Sequence, residues 1–553
     1  MQFEFCREVP VGGAMLAVDV YRPDGPGPFP TILVRTPYHR TGSLGAARPF
    51  VERGYAFVIE DCRGKYDSGG EFRPLRDEAE DGRATLDWVA EQRWCNGRIG
   101  MWGRSYLGIV QVPAASGGHE ALRCMAPSVA PGSFFRDWVR YDGCFALGNA
   151  GRWALTHASS RTQPPLQHFT WDELCGLASP EEIAARVGFP TPALVEWAEH
   201  DAYDSYWEEI DQTRMHAQIA VPGLHAGGWF DHLTRGQFEA YGNIRDRGGS
   251  ELARTGQRLL IGPWGHTNTG NRGGEHCRYG EWDFGPAADF PLLEHELDFM
   301  DLYLREMDNG FADRPPVELF LIGANRWVGL DDWPPPGGET QRWYLDSSGG
   351  ANMRSGRLDR VIPERSAADS YAYDPGNPVP TRGGQIYWGL QYAGPASQFP
   401  VVNRSDVVYY RSCALERPLA AIGEVELELT ITSDAEDTDF IARLCVEESS
   451  GTITCLNTGS LRCRYRNSWS EPEPLKPGEL TAIKLRLGQI GCRFPAGSRI
   501  GLMITSSDFP RILPHPNSMA PTWREKKPVV ARNAVLHGPA TPSCLSLPVV
   551  DLD

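Results

Sequence analysis

The segment Gly100-Met101-Trp102-Gly103-Arg104-Ser105-Tyr106-Leu107-Gly108 constrains this chain more than any other. An apolar stretch over 98–102 runs straight into a glycine turn, and residues 105–115 can leave that turn as a helix. A serine at the apex of a strand-to-helix turn sits in a strained backbone conformation that presents its hydroxyl, and it tolerates only small neighbours, so Gly103 lets the flanking chain pass closely. The common spacing of such an elbow is G-x-S-x-G, whereas here Leu107 holds the last place and the glycine follows at Gly108. On this segment alone, a glycine-rich turn with an incidental serine remains an alternative.

The surroundings supply the sheet that an elbow needs. Residues 17–21, 31–35 and 55–60 are apolar, rich in β-branched and aromatic side chains and bounded by turn signals, so they read as strands. Residues 77–92 offer Ala84 and Trp88, with Leu86 and Val89 as further candidates, to a sheet and are polar on the other side, as a surface helix is. Strands alternating with helices imply a parallel sheet. Over 130–217 the pattern turns mostly helical, with Trp138, Trp153, Trp171, Trp197 and Trp207, which reads as an insertion. The alternation resumes over 218–314, with a buried strand at 258–262 and a closing helix at 292–306. Beyond 315, Val425, Leu427, Leu429 and Ile431 alternate with Glu424, Glu426, Glu428 and Thr430, and 482–487 and 500–506 continue the theme. Half-buried antiparallel strands do this, so 315–553 is expected to be a β-sandwich following an α/β domain of 1–129 plus 218–314.

Charge and cysteine usage exclude several classes. Among 553 residues the net charge is −17 and no basic run breaks it, so nucleic acid is not an expected partner. No uncharged apolar run reaches the 18 or so residues that cross a bilayer. The start, MQFEFCREVP, lacks the basic-then-apolar pattern of a leader. The closest of 13 cysteines, Cys455 and Cys463, are eight apart, so no C-x-x-C metal or redox pair exists and buried thiols in a reducing cytoplasm are expected. With no ligand spacing and no G-x-G-x-x-G after a strand, neither a metal nor an organic cofactor is expected. A homo-oligomer is left open.

An elbow calls for an acid and then a histidine downstream, each after its own strand. Residues 221–231 run from an apolar stretch through Gly227 and Gly228 to Asp231, and 259–266 do the same through Gly262 and Gly265 to His266. His225 and His232 flank the acid without following a strand of their own, and His39 lies upstream of the serine. In the expected chemistry His266 takes the Ser105 proton, Asp231 holds His266 in the right tautomer, and the Tyr106 backbone N–H faces the oxyanion.

These residues add up to a resemblance. G-R-S-Y-L-G at Ser105, G-G-W-F-D at Asp231 and G-P-W-G-H at His266 resemble the cocaine esterase and X-Pro dipeptidyl-peptidase family of serine hydrolases, which includes glutaryl-cephalosporin acylases and α-amino acid ester hydrolases. R-T-P-Y ending at Tyr38, the run 60–72, and residues 94–101, 496–500 and 507–511 extend the match along nearly the whole chain. The resemblance implies an α/β-hydrolase domain, an inserted helical cap and a C-terminal jelly-roll β-sandwich. It implies a serine hydrolase cleaving an ester or amide of a small molecule through an acyl-enzyme, and it gives the Tyr38 phenol the role of second oxyanion donor. Leu233 and Thr234 stand two and three places after the acid, where α-amino acid ester hydrolases place carboxylates for the substrate ammonium. The extra N-terminal region of X-Pro peptidases is missing, which argues against that activity. Trp153, Trp229 and Phe230 are the expected pocket aromatics for a bulky acyl group, with a core role as the alternative. An acyltransferase or cyclase using the same triad, and a carbohydrate-binding protein with a vestigial one, are the competing readings.

Overall fold

The computed structural model describes residues 1–158, 161–162, 179–386, 393–525 and 527–551. Its first sheet has ten strands: β1 (Gln2–Val11), β2 (Ala14–Arg22), β3 (Phe29–Thr36), β4 (Ala56–Asp61), β5 (Cys95–Arg104), β6 (Leu122–Ser128), β7 (Leu224–Gly228), β8 (Arg258–Gly262), β9 (Val317–Leu321) and β10 (Arg326–Leu330). Their order is β1-β2-β4-β3-β5-β6-β7-β8-β9-β10. From β4 to β9 every neighbour is parallel, while the pairs β1–β2, β2–β4 and β9–β10 are antiparallel. The strands at its centre are buried on both faces, which is why β3 and β4 read as unbroken apolar runs rather than as alternating ones. Helices Glu78–Ala90 and Leu292–Leu304 pack against the sheet, close to the expected bounds.

Two details depart from the sequence reading. The strand before the acid spans Leu224–Gly228, so Gly227 and Gly228 belong to the strand and not to the turn. A Cβ on Gly228 would stand 2.2 Å from the Trp264 carbonyl oxygen, so close approach of the next loop, not a bend, demands that glycine. The sheet also continues past residue 314, through β9 and β10, before the second sheet begins.

The described part of 130–217 carries short π-helical turns at Phe135–Val139, Leu147–Gly151 and Ala154–Ala158, a two-residue ladder between Arg140–Tyr141 and Cys144–Phe145, and helices Pro180–Val187, Pro192–Glu199 and Ser205–Ile210. Trp138, Trp153, Trp197 and Trp207 pack together in one cluster with residues from the elbow side of the sheet. Trp171 lies outside the described residues.

The C-terminal region forms a 12-stranded sheet system around the long strand Leu419–Ser433, which pairs with Thr481–Phe494, Ala531–His537 and Cys544–Val550. Val425, Leu427, Leu429 and Ile431 are buried and the glutamates between them are half-buried, as the alternation predicts. Leu259, Ile261, Val317 and Leu319 of the first sheet share one apolar core with Val425, Leu427 and Leu485. The two sheets are therefore packed against each other, and the loops after β7 and β8 are held between them. The architecture is an α/β hydrolase with a C-terminal β-sandwich. Among the described residues no helix is long and apolar enough to cross a membrane.

Candidate active site

Ser105 follows β5 and precedes the short helix Tyr106–Ile109, with φ 57° and ψ −127°. Positive φ at a residue with a Cβ costs energy and persists only when its neighbours enforce it. Here the Ser105 N–H donates to the Ser128 carbonyl at 2.9 Å, clamping the turn to β6. A Cβ on Gly103 would meet Leu107 Cβ at 2.4 Å, and one on Gly108 would meet the Ser128 oxygen at 2.9 Å. The second glycine is thus needed at 108, where the helix crosses the end of β6, and Leu107 is accommodated.

Asp231 and His266 follow β7 and β8, the next two strands beyond β6 in the sheet, so the three side chains meet at one end of it. Ser105 Oγ lies 3.0 Å from His266 Nε2, and His266 Nδ1 lies 2.6 Å from Asp231 Oδ2. The Leu233 N–H donates to Asp231 Oδ1 at 2.6 Å. Asp231 is fully buried, which alone would raise its pKa, but the His266 charge and hydrogen bond, helped by the Leu233 N–H, hold it below the usual value. It is a permanent carboxylate facing the imidazole. Tyr106 is the first residue of its helix, where the N–H has no intrahelical acceptor.

A cavity of about 370 Å³ opens on the serine. Tyr38, Ser105, Tyr106, His232 and His266 form its polar end, and Ile109, Trp138, Trp153 and Leu233 much of its apolar wall. Trp153 is where the sequence reading put it. Trp229 and Phe230 are not: both are buried in the core shared with the sandwich. The Trp229 indole donates to the Phe320 carbonyl at 2.7 Å and stacks on Phe238, while Phe230 packs on Tyr279 and Phe284. A turn in which the Asp231 N–H donates to the Gly228 carbonyl at 3.0 Å carries the chain past these rings, so Trp229 and Phe230 join the core while Asp231 reaches His266.

The other histidines separate cleanly. His39 is exposed and stacks on Tyr66. The His232 ring lies 4.6 Å from that of His266, and burial, with the His266 charge beside it, pushes its pKa down to about 3, so it stays neutral. His225 is fully buried away from the cavity, bonded to Gln257 Oε1 at 2.8 Å, and burial pushes its pKa from 6.5 down to about 4. Because the folded pKa is the lower one, this histidine's contribution is full above pH 6.5 and fades as the pH falls toward 4. Replacing it by glutamine is expected to shrink the stability gap between wild type and variant by about 2 kcal/mol on going from pH 7 to pH 5. Denaturant midpoints at the two pH values measure this, and a constant gap would contradict it.

Beneath the elbow lies a buried ionic layer that the sequence reading missed. Arg35 pairs with Glu60 at 2.7 Å and Glu78 at 2.9 Å, and Glu78 accepts the Tyr106 phenol at 2.7 Å. Burial, with Glu78 beside it, pushes that phenol's pKa far up, so it remains a donor. An arginine inside the apolar run 31–35 was the available signal, since a charge there must find a buried partner. Asp231, His232 and His266 place three ligand atoms within 4.8 Å of one another, the described grouping with metal-binding chemistry. Within it Asp231 Oδ2 and His266 Nδ1 are bonded to each other at 2.6 Å.

Residues 12–268 match the X-Pro dipeptidyl-peptidase (S15) family, and residues 309–546 match the X-Pro dipeptidyl-peptidase C-terminal non-catalytic domain. The cocaine esterase of Rhodococcus sp. (strain MB1 Bresler) is 32% identical, over 97% of this chain and 96% of that protein. The chain belongs to the cocaine esterase and X-Pro dipeptidyl-peptidase (S15) family. It is a serine hydrolase of ester or amide bonds. Family members of known structure superpose along its full length: an α-amino acid ester hydrolase at 26% identity with TM-score 0.85, covering 99% of this chain and 97% of the other. An aminopeptidase from a Thaumarchaeota archaeon shares the fold at 24% identity, also with TM-score 0.85 over 99% and 97% of the two chains.

Proposed function

We propose that Ser105 is the nucleophile, His266 the general base and Asp231 its orienting acid, acting on an ester with an uncharged, bulky acyl group. The unbroken chain from Ser105 Oγ through His266 to Asp231 carries the reading. Ser105 Oγ attacks the substrate carbonyl carbon while His266 Nε2 takes its proton, and the oxyanion accepts hydrogen bonds from the Tyr106 N–H and the Tyr38 phenol. His266 then protonates the departing alcohol, leaving an acyl-Ser105. Water, deprotonated by His266, attacks that ester and releases the carboxylic acid.

The cavity supports the substrate class. Its described lining holds no Asp, Glu, Lys or Arg, and Leu233 forms wall while the Thr234 hydroxyl is turned to the Gly228 and Asp231 carbonyls. An α-ammonium, which an amino acid ester or an X-Pro dipeptide would bring, meets no carboxylate there. The twelve cysteines of the described residues are free and ten are buried, in keeping with a reducing cytoplasm.

A panel of aryl-acyl, alkyl-acyl, α-amino-acyl and glycyl-prolyl esters and anilides tests this. Aryl-acyl esters are expected to show the highest kcat/KM, with none turned over by Ser105→Ala; preference for a cationic acyl group would overturn the substrate class. Products with added alcohol or amine separate hydrolysis from acyl transfer. Tyr38→Phe removes one oxygen and is expected to lower kcat by about 100- to 1,000-fold, since the donor acts on charge that develops in the transition state, with a much smaller change in KM. Near wild-type kcat would make Tyr38 a packing residue.

A further inference from the structure

We propose that Trp153 is a positioning residue for the oxyanion pair and not only a wall of the acyl cavity; this rests on the assignment of Tyr38 and Tyr106 to the oxyanion. The Trp153 indole N–H donates to the Tyr38 phenol oxygen at 2.9 Å. The same indole lies flat on the Tyr106 ring, with centroids 5.6 Å apart and planes 5° from parallel. One side chain from the inserted region therefore touches both residues that face the oxyanion, one through its edge and the other through its face.

The indole is itself held on all sides. Trp138 meets it edge-on at 4.9 Å, Trp197 and His157 stack on it at 6.2 and 5.8 Å, and it is 4% exposed. His157 also packs its ring edge-on to Tyr38 at 4.9 Å. Beyond Tyr106 the chain of contacts continues to Glu78, which accepts the Tyr106 phenol, and to Arg35. Glu78 and Arg35 fix the elbow tyrosine from below, and Trp153 fixes it from above.

The chemical consequence lies at Tyr38. Its backbone stands on the loop after β3, and its N–H is tied back to Thr36 Oγ1 at 3.0 Å. The bond from the Trp153 indole helps fix where the phenol oxygen lies about its two side-chain torsions. An indole N–H has no acceptor capacity, so it always donates, and it occupies one lone pair of the phenol oxygen. The phenol proton must then point away from Trp153, and accepting a hydrogen bond polarises the O–H and strengthens the bond it donates. In the acylation and deacylation transition states the acceptor on that side is the oxyanion. A misplacement of about 1 Å in such a contact can cost 100-fold in rate.

The test is a double-mutant cycle. Trp153→Phe keeps an aromatic face for Tyr106 but deletes the N–H, and it is expected to lower kcat by about 10- to 100-fold with little change in KM. In a Tyr38→Phe background the same substitution is expected to cost less than about threefold, because no phenol is left to aim. If Trp153→Phe folds poorly, β-(3-benzothienyl)alanine at 153 replaces the N–H by sulfur within the same ring shape and makes the same prediction. Equal losses in both backgrounds, or a loss confined to KM, would assign Trp153 to the cavity wall and overturn the proposal. A Tyr38→Phe enzyme with near wild-type kcat would instead remove the oxyanion assignment on which it rests, a result read from a different variant.

Discussion

Ser105→Ala is expected to lose about six orders of magnitude in kcat for the best ester substrate while folding as the wild type does. The loss is large because the covalent route disappears: without Oγ there is no acyl-enzyme, and His266 has no nucleophile to activate. Stability should change little for a reason specific to the site. The strain at φ 57° arises from the Cβ, which serine and alanine share, and the clamp from the Ser105 N–H to the Ser128 carbonyl is backbone to backbone. The only side-chain bond removed is the one to His266, in a cavity open to solvent. Thermal melting and kcat measured on the same preparation check both halves, and residual activity within about 1,000-fold of wild type would mean that another group attacks the substrate.

Asp231→Asn is expected to cost about 10,000-fold in kcat with KM nearly unchanged. Asparagine matches aspartate in shape, so the Leu233 N–H keeps its acceptor and the loop after β7 keeps its path. What changes is the partner of His266 Nδ1, which lies 2.6 Å from the carboxylate. An amide can present N–H there, which favours the imidazole tautomer protonated on Nε2, and that nitrogen can no longer accept the Ser105 proton. The imidazolium formed during attack also loses its counter-charge. The pH profile distinguishes this from damage to the cavity: the variant should still bind substrate and should regain part of its rate at high pH, where hydroxide can replace the base. A loss below tenfold would show that the buried carboxylate does not orient the base.

The elbow, the acid and the histidine were legible because each stands just past a buried strand with glycines at or near its end, and buried parallel strands leave unbroken apolar runs in the sequence. The β-sandwich was legible from the alternation of Val425 to Ile431 with glutamates, a period that only a half-buried strand produces. The cavity was harder. Trp229 and Phe230 adjoin the acid in sequence yet face the core, because a turn sends neighbouring side chains in different directions. Tyr38 was reached through resemblance alone: a tyrosine after a strand carries no periodic signal, and its indole partner lies 115 positions away. Glycines 227 and 228 read as a bend, though a neighbouring carbonyl is what requires the second. Arg35, Glu60 and Glu78 share no motif, and only their common burial and ion pairs reveal them as one ionic layer under the nucleophile.

The most direct test of the account is to identify the residue that becomes covalently modified. A fluorophosphonate probe reacts with an activated serine by losing fluoride and leaving a stable phosphonyl ester. Peptide mass mapping of the labelled enzyme is expected to place a single adduct on Ser105, formed in step with loss of activity, slowed by substrate and absent from Ser105→Ala. An adduct on a different serine that tracks inactivation, or an unlabelled enzyme that retains full ester hydrolysis under saturating probe, would contradict the assignment of Ser105 as the nucleophile.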